Sequence, residues 1–383
     1  VTETIDILAK GQGELVGWQD PDENRAWVRD NKPRGLIDKR MSVQQAVEKF
    51  VHDGDYIAFN GFGHIRIPMV LIYEMIRQNK RDLTVAGKTA VHDIDVLIGA
   101  GCVSKVECAY SFGHELRGLS PAGRRGVESG AVKVVAEISN GGYQWRFLAG
   151  MMGIPFIPVR NMMGTDTFEK SSGIQIRDPW SGKPITLIPA AYPDVSLFHV
   201  PRCDKYGNAQ IDGILVEDFE LARASRRVIL STEEIVDEEV IRDNPRQTVI
   251  PFYLVDAVCE APFGAHPALM PYLYYFDEAH IQEWLEVSKT EEGTRAYLEK
   301  YVYSVKDFPA YLEKIGGMEK LEKLQYIETS VMNADTKHPT DVIARNEAIP
   351  ADAIARHETI PMDVIARNEA IPAEKERKDG LEK

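Results

Sequence analysis

The segment Asn60-Gly-Phe-Gly-His-Ile-Arg-Ile-Pro68 gathers residue types suited to holding an anion. Gly61 and Gly63 follow the apolar run Asp55–Phe59 and precede Pro68, so they fall between the carboxyl end of a predicted strand and a predicted helix start. Glycine lets backbone approach a ligand closely, and the free N–H groups and dipole of a helix start favour negative charge. In open parallel sheets, ligands bind outside the carboxyl ends of the strands. A phosphate, carboxylate or oxyanion fits such a loop; an ordinary tight turn is the competing reading. A dinucleotide fingerprint is excluded, because the third glycine of GxGxxG falls on Arg66 and no acidic residue closes the next strand near Val85. Glu137 ends another predicted strand, ahead of Ile138-Ser139-Asn140-Gly141-Gly142. A carboxylate there could serve as base, nucleophile or hydrogen-bond acceptor, against the plainer role of ion-pair partner or helix cap. Asp204-Lys-Tyr-Gly-Asn208 has turn chemistry and carries no expected catalysis.

Other chemistries lack their residues. There is no GxSxG elbow, and Gly182-Lys183 runs into Pro184 rather than a P-loop Ser or Thr. The nine histidines form neither HExxH nor HxxxH, and Cys102, Cys108, Cys203 and Cys259 form no CxxC. No metal site is therefore expected, the histidines read as ordinary surface residues and the cysteines as small buried thiols of a reducing compartment. The chain of 383 residues carries 45 Lys plus Arg against 59 Asp plus Glu, a net charge of −14 that argues against a nucleic-acid partner. No apolar run approaches the roughly 18 to 20 residues that span a bilayer, and the first residues lack a signal-peptide pattern. The expectation is a cytoplasmic protein with no membrane partner.

Elements that could position the loop are readable. Between about Ser42 and Glu260 short apolar runs alternate with amphipathic stretches, the pattern of βα units, so the expected fold class is α/β with an open, mostly parallel sheet and flanking helices. Ser42 and Gln45 make a capping box ahead of Val43, Ala46, Val47, Phe50 and Val51 on one apolar face. Pro68 is placed at the first turn of a helix running to about Asn79. Further strands are expected at Leu83–Ala86, Val106–Tyr110, Val132–Glu137, Phe156–Val159, Val195–Val200, Val228–Leu230 and Leu254–Glu260, with helices filling the gaps. The domain plan is an irregular arm over 1–40, anchored by Trp18 and Trp27, an α/β domain over 41–279, and a helical appendix over 280–327. A tail over 328–383 follows. It holds three copies of an 11-residue repeat, Asp341–Pro350, Asp352–Pro361 and Asp363–Pro372, whose prolines interrupt any continuous helix, so disorder is expected.

Taken in order, several segments resemble the α subunits of class I coenzyme A transferases, most closely the glutaconate CoA-transferase type. They are Asp53-Gly-Asp55, Gly61-Phe62 with Pro68, Asp82-Leu-Thr84, Leu97-Ile-Gly99 with Gly101, and Gly153-Ile-Pro-Phe156 with Pro158-Val159. Asp204–Asn208, Glu233-Glu-Ile235, Val255-Asp-Ala-Val258, Ala261-Pro-Phe-Gly-Ala-His-Pro267 and Val287-Ser-Lys-Thr290 complete the set. The resemblance implies a heteromeric enzyme, α2β2 or larger, with its site at the subunit interface and a coenzyme A thioester and a small carboxylic acid as substrates. It implies no permanently bound cofactor. The nucleophilic glutamate would belong to the β partner, so this chain alone would be inactive. Its own contribution would be the backbone amides of Gly61, Phe62 and Gly63 facing a developing oxyanion, each well-placed donor worth about 3 kcal/mol.

Asn60 stands where the family has the first glycine of Gly-Gly-Phe and adds a side-chain donor. With His64, Arg66 and Ser139 it makes the expected substrate-binding set, His64 and Arg66 suiting the second carboxylate of a dicarboxylate. Glu128-Ser129-Gly130 is read as a surface helix end. Two alternatives stand beside transfer: a related branch that hydrolyses a carbon ring of an acyl-CoA, with Glu137 as base, and a noncatalytic scaffold subunit recruiting partners through its arm and repeats.

Overall fold

The structure, a computed structural model, describes residues 6–333. The repeats at 341–372 lie outside the described residues, as does the expected disorder beyond 333. Thirteen strands are present among the described residues: β1 (Ile7–Lys10), β2 (Tyr56–Phe59), β3 (Leu83–Lys88), β4 (Val103–Ala109), β5 (Lys133–Glu137), β6 (Phe156–Val159), β7 (Ile174–Arg177), β8 (Pro184–Pro189), β9 (Val195–Cys203), β10 (Ala209–Gln210), β11 (Arg227–Ile235), β12 (Thr248–Ile250) and β13 (Ala257–Glu260). Seven run parallel in the order β13-β11-β9-β2-β3-β4-β5, and the short β10 and β12 add antiparallel along the far end of β9. The α/β class and the mostly parallel sheet are as expected.

Parallel strands covered on both faces read as near-continuous apolar runs, and β9 is buried at all but one of its positions. The pleat sends alternate residues to opposite faces. Ile57 and Phe59 join Val85, Val106 and Leu197 on one side; Tyr56 and Ala58 join Ala86, Phe198 and Leu230 on the other. The first face is covered by helices Val43–Phe50, Met69–Arg77 and His92–Gly99 and by the C-terminal helices, the second by helices Asn140–Met152 and Asp218–Ala224. The capping box forms as expected, Gln45 N–H donating to Ser42 Oγ (3.1 Å) and Ser42 N–H to Gln45 Oε1 (3.0 Å). Pro68 occupies the cap of its helix rather than the first turn.

Four expectations need correction. Residues 1–40 are not an irregular arm: β1 pairs antiparallel with β7, and Asp20 caps a helix at Pro21–Asn31 by accepting from Asp22 N–H (2.9 Å). Trp18 Nε1 donates to Pro155 O (3.0 Å) and Lys32 forms a buried ion pair with Asp256 (2.7 Å), so the segment is part of one compact unit reaching Met332. Phe156–Val159 is a strand but not of the main sheet; it edges a second, antiparallel sheet ordered β1-β7-β8-β6. The stretch after it, expected to be helical, is the β7–β8 hairpin with a single helical turn at Asp166–Glu169. The helical region begins at Glu278, includes a π-helical turn at Glu299–Tyr303 and continues to Asn333, past the boundary at 327.

A buried polar contact ties the second face of the main sheet to the helix and the smaller sheet that cover it. Arg146, on helix Asn140–Met152, pairs with Glu107, whose other oxygen accepts from Tyr56 OH (2.8 Å), while Arg146 Nε donates to Pro189 O (3.0 Å). Removing one partner of a buried pair strands the other charge, which costs about 3–5 kcal/mol. Arg146→Met should lose that much in urea unfolding, against about 1 kcal/mol for Ser42→Ala at the capping box; equal losses would deny the Glu107 network its role.

Candidate active site

Because β2, β3, β4 and β5 are parallel neighbours, their carboxyl ends set Asn60–Gly63, Lys88–Thr89, Tyr110–Ser111 and Glu137–Ser139 along one edge. Left-handed backbone concentrates there: Gly63 (φ 57°), Arg66 (52°), Thr89 (48°), Tyr110 (54°) and Phe112 (69°). For residues other than glycine this conformation costs about 1–3 kcal/mol and persists only where surrounding structure imposes it.

What imposes it on the glycine loop is a set of buried side chains. Asn60 Nδ2 donates to His199 O and to Asp218 Oδ1 (both 3.2 Å), and its Oδ1 accepts from His199 N–H (3.1 Å). Arg66 Nη2 spans both oxygens of Asp218 (3.2 and 3.0 Å) and Nη1 donates to Ile214 O (2.6 Å). Phe62 N–H donates to Ile65 O (3.2 Å) and Gly63 N–H to Thr89 O (3.0 Å), whereas the Gly61 amide makes no hydrogen bond among the described residues. Of the three amides expected to face an oxyanion, two are therefore committed inside the protein and Gly61 is free. The positive φ at Gly63 is what calls for glycine there; the Glu115 carboxylate that a Cβ would meet at 2.6 Å is the end of a flexible side chain that can move aside.

The Ala261–Pro267 signature and Leu269 just after it clamp this loop and the helix that follows it. Gly264 O accepts from Val70 N–H (2.9 Å), Leu269 N–H donates to His64 O (2.8 Å) and Arg66 N–H to Leu269 O (2.9 Å). The clamp is anchored on Glu233 at the end of β11, which accepts from Phe263 N–H (2.6 Å) and pairs with His199 Nε2 (2.6 Å); His199 Nδ1 meets Ser231 Oγ (2.8 Å). A side chain at 264 would press against the His199 ring, its Cβ 2.5 Å from Cε1.

Beside the loop, Lys88 Nζ lies 2.6 Å from Glu217 Oε2 and 5.7 Å from the Phe62 ring centre. Burial pushes the Glu217 carboxyl up to about 7 despite the opposing pull of Lys88. Glu137 is half-buried and paired with Lys170 Nζ (3.0 Å). Ser139 caps helix Asn140–Met152, accepting from Gly142 N–H (3.0 Å) and from Asn161 Nδ2. Three strand spacings, about 14 Å, separate the β2 and β5 ends, so Glu137 and Ser139 are not in one cradle with Gly61. Glu128 ends a helix at the surface, paired with Arg124 (2.7 Å), as expected. Two surface clefts of about 350 and 330 Å³ lie away from this edge, one at the amino ends of β2, β9 and β11, the other between helices His92–Gly99 and Glu291–Leu298.

The histidines depart most from expectation. Six of the nine, His64, His92, His114, His199, His266 and His280, are buried, and the first three converge behind the glycine loop. His64 Nδ1 bonds the Glu115 carboxylate (3.0 Å), and burial holds the His64 and His92 imidazoles below their ordinary pKa. No local motif announces this cluster, because its members are 28 and 22 residues apart on separate strand-end loops. Three cysteines are buried and Cys108 half-buried; burial raises the thiols to about 11 or 12, which keeps them unreactive.

A parallel α/β sheet with a clamped glycine loop at its carboxyl edge is the class of structure on display, and comparison with known proteins makes it specific. Residues 40–261 match the family described as coenzyme A transferase, and the chain belongs to that family. The A-subunit of glutaconate CoA-transferase from Acidaminococcus fermentans is 32% identical over 73% of this chain and 93% of its own length. The crystal structure of that transferase aligns with a TM-score of 0.72 at 31% identity, over 75% of this chain and 95% of its own. The A-subunit of 3-oxoadipate CoA-transferase from Pseudomonas knackmussii is 33% identical over 72% of this chain and 97% of its own. The cholesterol ring-cleaving hydrolase IpdA subunit of Rhodococcus jostii is 31% identical over 72% and 96%.

The Lys88–Glu217 pair gives a pH test. The Glu217 carboxyl sits at about 7 in the fold against 4.5 when free, so the fold favours its protonated form. That contribution is full below 4.5 and is lost as pH rises through about 7. The Tm of the parent chain relative to Glu217→Gln should therefore fall across this window, as read by thermal unfolding at successive pH values; a constant difference would place Glu217 in the ordinary carboxylate range.

Proposed function

We propose that this chain is the α subunit of a heteromeric CoA-transferase, assembled as α2β2 or larger, that moves CoA between an acyl-CoA and a carboxylic acid. The observation carrying this reading is the match to two transferase A-subunits over 93% and 97% of their lengths. In the proposed cycle a glutamate of the β partner attacks the thioester carbonyl. An acyl-glutamyl anhydride forms as CoA thiolate leaves. The thiolate then attacks the glutamyl carbonyl, releasing the first acid as carboxylate and leaving glutamyl-CoA. An incoming carboxylate reverses the two steps and departs as the new acyl-CoA. The Gly61 amide is the donor we assign to the oxyanion, while Asn60, Arg66 and the Phe62 and Gly63 amides hold the loop in shape.

Both transferase relatives are named for dicarboxylic acids, glutaconate and 3-oxoadipate, which supports a dicarboxylate as the acceptor or donor acid here. The Arg66 guanidinium, 1% exposed and spent on Asp218 and Ile214, is better assigned to positioning than to the second carboxylate. Arg66→Met should then depress stability and reduce turnover of mono- and dicarboxylates alike, roughly tenfold for an approximately 1.4 kcal/mol disturbance of loop geometry. A KM rise confined to dicarboxylates would return Arg66 to substrate contact.

Ring hydrolysis with Glu137 as base keeps one supporting observation, a half-exposed carboxylate at the end of β5 in a chain 31% identical to a ring-cleaving hydrolase subunit. The scaffold reading loses its arm, which is folded into the body, and retains only the repeats.

The deciding experiment is to incubate the chain, co-purified with its partner, with dicarboxylyl-CoA and take intact masses of both subunits. A CoA-sized adduct on the partner, cleared by acetate or borohydride, is expected, and Glu137→Gln should lower transfer by no more than about tenfold. An adduct on this chain, or none with water addition to a cyclic acyl-CoA that Glu137→Gln abolishes, would overturn the assignment.

A further inference from the structure

We propose that His64, His92 and His114 form a binding site for one divalent first-row transition ion, with zinc(II) as the reference ion. The three rings come from consecutive parts of the sheet edge: His64 from the loop after β2, His92 from the first turn of the helix after β3, and His114 from the turn after β4. One ligating nitrogen of each lies within 4.8 Å of the other two, and the ring centres are 5.3 to 6.3 Å apart.

Burial without partners is the argument. The three side chains are 4%, 0% and 0% exposed, and His64 Nε2 and both nitrogens of His92 and of His114 have no hydrogen-bond partner among the described residues. Leaving a buried donor or acceptor unpaired costs about 1–3 kcal/mol. Other buried polar atoms nearby, Arg66 Nε, Thr89 Oγ1 and Glu217 Oε1, are also unpaired, but among the described residues it is the histidines that bring three ligating nitrogens, one from each ring, within reach of a single cation. Imidazoles with no thiolate among them suit zinc, nickel, copper or iron(II) over magnesium or calcium.

The surroundings fit the same reading. Metal-bound histidines commonly donate their second nitrogen to a carboxylate, which orients the ring. Glu115 does this at His64 Nδ1 (3.0 Å) and so turns Nε2 toward the cluster. Asp95 Oδ2 stands 3.7 Å from His114 Nε2 and is itself held by Trp284 Nε1 (2.7 Å), with Asp95 Oδ1 held by Gly123 N–H (2.6 Å). Trp284 against His92 and Phe276 against His64 complete an apolar wall. Ligand nitrogens about 2.0–2.1 Å from zinc in a tetrahedron are roughly 3.3 Å apart, so loading draws the rings inward by about 1 Å. The ion would fasten the glycine loop to the ends of β3 and β4, and we assign it a positioning role there.

The full chain, stripped with chelator, is titrated with cobalt(II) and read by visible d–d absorption, with zinc(II) competition and thermal unfolding alongside. The expected result is one equivalent bound per chain, a low-coordinate cobalt spectrum displaced by zinc, and a raised Tm. His92→Gln should weaken cobalt binding roughly 100-fold or more, since outer-shell losses alone cost 10–100-fold. Exposed His52→Gln should not, and His338 and His357 of the tail are kept in both variants. If His92→Gln does not fold, zinc-edge X-ray absorption of the parent chain decides, with three imidazoles expected in the ion's shell. No cobalt band, binding unaltered by His92→Gln, or a shell without imidazoles would overturn the site and leave the cavity to bound water.

Discussion

The buried carboxylate of Asp218 is the contact on which the glycine loop depends. It takes the Asn60 amide from one end of the loop and the Arg66 guanidinium from the other, and all three side chains are 1% exposed. Burying charge in this way is tolerable when hydrogen bonds meet most of the remaining lone pairs and protons. Here that capacity goes to His199 O, Ile214 O and Val216 N–H, with Arg66 Nε left unpaired. With both ends fixed, Arg66 holds a left-handed backbone that its side chain would otherwise disfavour, and Gly61 is left with an amide that nothing among the described residues takes up.

The parallel sheet makes that arrangement possible. Parallel registry brings the carboxyl ends of β2, β3, β4 and β5 to one edge, so loops distant in sequence become neighbours there. The Ala261–Pro267 segment then closes over the loop, and its glycine at 264 exists because the His199 ring occupies the space a side chain would need. Glu233 carries both sides of that contact, taking the Phe263 amide and the His199 imidazole. The signature thus braces the helix after the loop and leads into Leu269, which holds the loop itself.

What can be read in advance follows the range of the forces involved. The capping box at Ser42 and Gln45, the helix after Pro68 and the buried strands of the main sheet are local or periodic signals, and each forms. The pairing of β1 with β7 joins Ile7 to Ile176, and such a contact leaves no trace in a four-residue strand. Asp20-Pro21 does carry a helix-start signal, which a reading of 1–40 as an irregular arm passes over. Asn60 and Arg66 look available to a substrate because each is a polar residue beside a glycine loop. The residue that occupies them, Asp218, is 158 and 152 positions away. The histidine cluster is invisible for the same reason, its coherence being a property of the sheet edge and not of any spacing along the chain.

The edge therefore carries two kinds of buried polar group, and the contrast between them is informative. Asn60, Arg66 and Asp218, like Lys88 with Glu217 and His199 with Glu233, form networks in which donors meet acceptors within the chain, Arg66 Nε and Glu217 Oε1 alone of their groups staying unpaired. Such networks rigidify what they surround, and these surround the loop that bears the free Gly61 amide. His64 belongs to that loop, and it, His92 and His114 are open on their facing sides, only His64 having a carboxylate behind it at hydrogen-bond distance. Unpaired atoms elsewhere on the edge, such as Arg66 Nε and Glu217 Oε1, stand singly, whereas three imidazoles gathered at one point have the form of a site whose missing partner comes from outside the chain.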